Sequence, residues 1–444
     1  MLGLAVLATT FLVNRPRPEA PTADDAVVNP FAARNLSDWR AATDEGTITI
    51  DRVRATTAPE GARSAVAIVR TGAGGDWAHV LVGLRRPQSF IRAGDAYRVR
   101  VYVRDESASG RQIGLLLANS NFKHRPAQAS RYGGWHDRAW HLLQRTFVAG
   151  RDGRPDTALY LDLPSTGQLD LQVTGASLRR VALAKPPRAH QAPDQVLTFT
   201  GPLGAPPDAA VWGHDLGGNG WGADELQSYT SHAANAHLDG HGHLVLEARR
   251  QTIVGTDGIR RRYTSARLST EGRLAVPSGS YVEATLRAPI ADGLRPAFWL
   301  IGSDFRQVGW PSSGELDAME ASAKGPETVR QTIHLARRSD PHSDGTSEVD
   351  PAGSLTTMTS SRSSWHRYGV YFDRSVVQFY VDGRPRLFLS RSQAGEDDLD
   401  WPFGQPQHLL LNLAVASPPR PQALPATMTV ARVAIWRHGV PYGR

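Results

Sequence analysis

Gly314-Glu315-Leu316-Asp317-Ala318-Met319-Glu320 sets three acids within six residues, interleaved with apolar ones. On a regular strand Glu315 and Asp317 share one face and Glu320 points to the other. One extra residue in a β-bulge returns Glu320 to the acid face, and bulges concentrate beside active sites. Three carboxylates crowded on one side of an apolar sheet repel one another unless their pKa values are split. Glycoside hydrolysis needs such a split, and its retaining form wants two carboxyls roughly 5–5.5 Å apart. The bland alternative for an acidic hexamer is a solvated edge strand. The neighbours weigh against it. Leu294-Arg295-Pro296-Ala297-Phe298-Trp299-Leu300 lies upstream, Trp310-Pro311 comes shortly before the acids, and Thr332-Ile333-His334 follows. Indole faces beside paired carboxylates suit the CH-rich faces of sugars. Trp299, set in an apolar run, reads equally as core or cleft. His334 is either a satisfied core histidine or a partner of the sugar or of Asp317.

The β pattern extends in both directions. Tyr97, Val99, Val101 and Val103 alternate with Arg98, Arg100 and Tyr102, the period of a half-buried strand. Residues 66–69, 115–117, 159–163 and 169–173 form similar short runs, broken by Gly, Asp and Ser. Lys185-Pro186-Pro187 to Pro193 has the composition of a linker. Beyond it the clearest strands are Leu244–Ala248, residues 281–287, residues 367–372 and Val376–Val381. Asp382-Gly383 closes the last of these with residues that tolerate positive φ. Regular strands without helical periodicity predict an all-β chain with two β-sandwich domains, the C-terminal one with a curved sheet that forms a substrate cleft. The expected division is a leader and stalk over 1–26, a first sandwich over 27–183, a linker over 184–195 and a second sandwich over 196–440.

The 444 residues, 40% hydrophobic and 21% charged, have a globular composition. The lack of cysteine excludes a disulfide scaffold, a thiol nucleophile and a thiolate zinc site. The net charge of +7 brings nucleic acid or an acidic polymer into question. All but three of the 50 basic residues are arginine, however, and no basic run exceeds Arg260-Arg261-Arg262. This is a background bias, and no nucleic-acid partner is expected. Residues 2–13 are apolar, too short for a membrane span of about twenty but as long as a signal-peptide core. A Pro-rich stalk from Arg15 to Asp25 follows. The expected location is secreted or membrane-anchored, with the N-terminal segment as a membrane tether.

The chain resembles glycoside hydrolase family 16, in particular its laminarinase-like branch with a bulged Glu-x-Asp-x-x-Glu signature. Matches run in order through Trp221-Gly222, Glu225-Leu226-Gln227-Ser228-Tyr229-Thr230, Leu244-Val245-Leu246-Glu247-Ala248 and Ser265-Ala266-Arg267. They continue through Pro296-Ala297-Phe298-Trp299, Trp365-His366-Arg367-Tyr368-Gly369 and Phe379-Tyr380-Val381-Asp382-Gly383, ending with Pro402-Phe403 and Leu411-Asn412-Leu413-Ala414-Val415. The resemblance implies a β-jelly-roll and retaining, endo-acting hydrolysis of a β-1,3- or mixed-linked glucan or a substituted exopolysaccharide. Carried over by position, Glu315 is the nucleophile, Glu320 the general acid/base and Asp317 the group between them. Trp299, Trp310, His334, Arg267 and Arg295 become substrate-binding candidates. No cofactor is implied, and a monomer is expected.

Departures from the family pattern carry expectations of their own. Arg295 stands where members often have Trp before Pro-Ala-Phe-Trp, which points to an acidic or substituted glycan. The usual Tyr-Gly-Arg-Phe-Glu-Ala-Arg strand is reduced to Gly279-Ser280-Tyr281-Val282-Glu283-Ala284-Thr285. Pro202 and Ala431 occupy the places where many members put acids for a structural calcium, so no metal is expected. His237, His241 and His243 flank Asp239-Gly240, a hairpin turn more than a metal site. In the N-terminal block, Trp39 and Gly94-Asp95-Ala96-Tyr97 resemble a carbohydrate-binding module. Trp77, Tyr132, Trp135 and Trp140 there are either a sugar platform or ordinary packing. Two rival functions share the fold: a non-catalytic glycan-binding protein, against which the intact acids argue, and a transglycosylase, in which a sugar replaces water.

Overall fold

The computed structural model describes residues 25–27, 35–182 and 192–437, apart from internal gaps of which the longest are 73–77, 120–126, 322–327 and 343–352. The all-β expectation holds. Strands Thr47–Arg54, Ser64–Thr71, Leu169–Val181, Ala96–Asp105 and His141–Val148 pair in that order into one five-stranded sheet. Trp39–Thr43, Ala78–Val82, Ala158–Leu163, Ile113–Ala118 and Ala127–Tyr132 form a second. Inward-facing Val99, Val101, Val103 and Leu171 of the first meet Val80, Leu115 and Leu161 of the second in one buried cluster, with Trp39 at its edge. Arg98 is exposed, as the alternation requires. The stalk expectation needs one correction: Asp25 and Ala26 are built into this sandwich. The Asp25 carboxylate accepts the Val27 and Leu178 amides at 3.0 Å each and pairs with Arg179, and Ala26 is buried. Residues 1–24, which contain the leader, lie outside the described residues, as does 183–191 of the linker. Gln195, counted with the linker, already opens the strand Gln195–Thr198.

A second, larger pair of sheets follows. The outer one has eight strands and runs Ala236–Leu238, Leu244–Ala248, Ala426–Trp436, Ser280–Arg287, His366–Phe372, Val376–Val381 and Arg384–Ser390, with Gln195–Thr198 added along Ala426–Trp436. The facing seven-stranded sheet runs Gly213–His214, Arg267–Ser269, Gln407–Val415, Leu294–Gly302, Glu315–Glu320, Thr328–His334 and Gly353–Thr357. Phe298, Leu300, Leu316, Leu409 and Leu411 of this sheet pack on Val282, Val370, Phe379 and Val430 of the outer one, all essentially inaccessible to water. Burial of such side chains stabilises by roughly 1.5–3 kcal/mol each, which is why one face of every central strand is apolar. The other face of the seven-stranded sheet carries polar and aromatic groups. Asp382 and Gly383 take φ of 52° and 75° between their strands, the primed hairpin geometry the sequence suggested. Asp239 likewise caps the turn before Leu244, accepting the His241 and His243 amides and pairing with the His243 ring at 2.6 Å. No helix among the described residues is long and apolar enough to cross a membrane.

Candidate active site

The acid strand is bulged. Opposite it, Trp299 pairs with Asp317, Phe298 with Met319 and Ala297 with Glu320, so Ala318 is the extra residue. Ala318 and Met319 both turn into the core and are fully buried, as are Leu316 and Ala321. This double step inward returns Glu320 to the side of Glu315 and Asp317, as the apolar pattern required.

Each acid has its own partner. The Trp310 indole N–H donates to Glu315 Oε2 at 3.0 Å, from a side chain 44% exposed at the cleft rim. His334, cross-strand neighbour of Glu315, brings Nε2 within 3.3 Å of Asp317 Oδ2, its ring 5.8 Å from that of Trp310. Arg295 Nε lies 3.2 Å from Glu320 Oε1. Trp299 lies on the sheet face that carries the acids, opposite Asp317 and outside the apolar core. Its indole is half-buried on the polar face and donates to Asn412 Oδ1 at 2.8 Å. The Arg267 guanidinium sits between Trp221 and Trp299, 4.5 and 4.8 Å from their ring centres, and donates to Asp215 at 2.9 Å. The three acids and the five substrate-binding candidates named beside them therefore lie on one surface.

Sequence reasoning missed the layer behind them. Asn412, which holds Trp299, donates to the Tyr229 hydroxyl at 3.3 Å, and that hydroxyl donates to Glu225 at 2.8 Å. Glu225 also accepts from Gln227 at 2.7 Å. Trp221, Glu225, Tyr229 and Asn412 all occur in the family matches, but their roles come from strands far apart in sequence. Nothing in the sequence marked Asp215. Trp221 takes φ of 50°, unfavourable for so bulky a residue, and is held there by Asn219 accepting its amide at 3.2 Å.

Electrostatics follow from this crowding. Burial, then the Asp317 charge, pushes Glu315 up to about 8, while His334 and Arg267 pull the other way. Burial and the Asp317 charge also raise Glu320, against the opposing pull of Arg295, Arg330 and His334. Ligand atoms of Glu315, Asp317 and His334 lie within 4.8 Å of one another, close enough to share a cation. Glu315 and Asp317 are each engaged by the neighbours described, an arrangement that also serves carboxylate catalysis. In the first sandwich, Trp135 stacks flat on His141 at 4.3 Å and packs partly on the core, and Trp140 is half-buried. Trp77 and the side chain of Tyr132 lie outside the described residues.

Residues 225–431 match Glycosyl hydrolases family 16. The Beta-glucanase of Rhodothermus marinus is 33% identical over 243 residues, which cover 52% of this chain and 80% of that protein. Glucan endo-1,3-beta-glucosidase A1 of Niallia circulans is 29% identical over 243 residues, but only 34% of its length is covered. Among solved structures, the laminarinase from Rhodothermus marinus superposes with a TM-score of 0.48 at 30% identity, covering 56% of this chain and 98% of that one.

Proposed function

The chain belongs to glycoside hydrolase family 16, and from that premise we propose that it cleaves β-1,3- or mixed-linked glucan internally, with retention, by double displacement. Glu315 attacks the anomeric carbon while Glu320 gives its proton to the leaving oxygen. The resulting glycosyl ester is then opened by water that Glu320 deprotonates. One observation carries this reading: the bulge puts Glu315, Asp317 and Glu320 on a single cleft face, each with a separate partner. The Trp310 indole fixes the Glu315 carboxyl by donating to its Oε2. Asp317 opposes ionisation of Glu315 while His334 and Arg267 favour it, so the charge state of the nucleophile is set between them. Trp299, locked by Asn412, presents an indole face to a sugar, and Arg267 fixes the far side of that platform.

The first sandwich acts as a glycan-binding module in this reading. The enzyme works outside the cell, secreted or tethered through its N-terminal segment. Its apolar residues 2–13 and Pro-rich stalk support that placement, and so does a polymeric substrate that cannot cross a membrane. Glu315→Gln should bind laminarin with affinity close to that of the unaltered enzyme and yield no measurable product. Full activity in that variant would remove Glu315 from the nucleophile role.

A further inference from the structure

Glu320 is flanked by cations on both neighbouring strands. Arg295, from the Leu294–Gly302 strand, reaches its carboxylate at 3.2 Å, with side chains 35% and 26% exposed. Arg330 is its direct partner on Thr328–His334, is exposed, and shares its face of the sheet. A group that must be protonated when the glycosidic bond breaks cannot then serve as counter-ion to two guanidiniums. The other charged groups acting on it are Asp317 and His334, which are engaged with each other.

We propose that Arg295 and Arg330 form an anion-recognition subsite that takes a carboxylate or sulfate ester on a sugar at the leaving-group side of the cut. The inference rests on the reading of Glu320 as the acid/base, because that role places the leaving sugar beside its carboxyl. A guanidinium presents a fork of donors matched to such oxyanions. Both arginines are open enough to reach a ligand in the cleft. The bound anion would replace the charge that Glu320 surrenders on protonation, so the subsite favours the protonated, working form of the acid. The enzyme would therefore prefer β-glucan bearing acidic substituents over an uncharged polymer of equal bulk.

The test compares laminarin with carboxymethyl-, sulfated and hydroxyethyl-laminarin of equal substitution, the last as the steric control. The unaltered enzyme should show kcat/KM about tenfold higher on a charged polymer than on the hydroxyethyl one at low salt, and the advantage should shrink as salt rises. Which charged polymer gains separates carboxylate from sulfate recognition. Arg330→Gln and Arg295→Gln should each erase most of the advantage, whereas Arg432→Gln, an exposed arginine on the outer sheet, should retain it and so exclude attraction by overall charge. Affinities of Glu315→Gln for the same polymers repeat the comparison without turnover. Equal cleavage and equal binding of charged and hydroxyethyl polymers would overturn the subsite and leave the glucanase reading intact. Selective binding of the charged polymers with no cleavage of any polymer by the unaltered enzyme would overturn the glucanase reading but keep the anion subsite.

Discussion

In the proposed mechanism a single proton decides what Glu315 can do. In the folded protein that carboxyl is pushed up to about 8 from an ordinary 4.5 by burial and by Asp317, yet attack requires it ionised. Glu320, raised by the same causes, must be protonated. kcat/KM should therefore rise and then fall with pH, the two limbs belonging to the coupled pair. Glu320→Gln should abolish the falling limb and lower laminarin hydrolysis by about 10²–10⁴-fold, while an aryl glycoside with a good leaving group is largely spared. Equal losses on both substrates would remove Glu320 from the acid role. The same shift has a stability consequence. A raised folded-state pKa penalises the native state above the unfolded value, so the favourable contribution is complete below about 4.5 and lost as pH climbs through about 8. Glu315→Gln escapes that loss. Its melting temperature should exceed that of the unaltered protein by a margin that widens from pH 5 to pH 8, and a margin that narrows would refute the assignment. These acids were legible in the sequence through their surroundings, because Trp299, Trp310 and His334 flank a stretch that alone would pass for a solvated edge strand. Asp215 and Asn412 were not, since an ordinary acid and an amide acquire a role only when distant strands bring them to Arg267 and Trp299.

The element that makes the site is the bulge, and its geometry was legible from spacing alone. Two consecutive apolar residues, Ala318 and Met319, must both enter the core if Glu320 is to face the cleft, and both do. Which way Trp299 faced was not legible, because its neighbours on both sides in sequence are apolar. The register with Gln407–Val415 settles it by placing Asn412 within reach of the indole. Deleting Ala318 would leave the acids alternating on a regular strand, still on one side, but would remove the local twist that aims Glu320. A displacement near 1 Å is enough to lower rate by about 10²-fold. The deletion variant is thus expected to fold, to keep its β circular dichroism and to lose at least about 10² in kcat. By contrast Met319→Ala, which empties a fully buried core position, should destabilise by about 2–5 kcal/mol in denaturant titrations. Its kcat should change far less than that of the deletion. If Met319→Ala lost the greater share of kcat, the bulge would be a packing feature and not an aiming device.

At the scale of the whole molecule, the two sandwiches meet along their edges. His141–Val148 ends one five-stranded sheet and Arg384–Ser390 ends the eight-stranded one, and these strands lie side by side. Free strand edges invite pairing with other chains, so apposing two of them protects both. The contact is tied by Gln393, buried in the short helix after Ser390, whose amide donates to the Thr146 carbonyl at 3.1 Å while its oxygen accepts from the Ser390 hydroxyl at 2.8 Å. No local pattern announces such a tie, because its ends are 247 residues apart and neither a glutamine nor a threonine is unusual where it stands. Gln393→Ala would leave the Thr146 carbonyl buried without this donor, at a cost of about 1–3 kcal/mol. That loss falls on the docking of the sandwiches, since Gln393 belongs to one of them and the Thr146 carbonyl to the other. Calorimetry of the variant should therefore show one unfolding transition separating into two, the cleft sandwich keeping its rate on short soluble oligosaccharides. A uniform fall of a single transition, accompanied by loss of that rate, would mean that Gln393 supports the catalytic sandwich itself and that the edge contact is incidental.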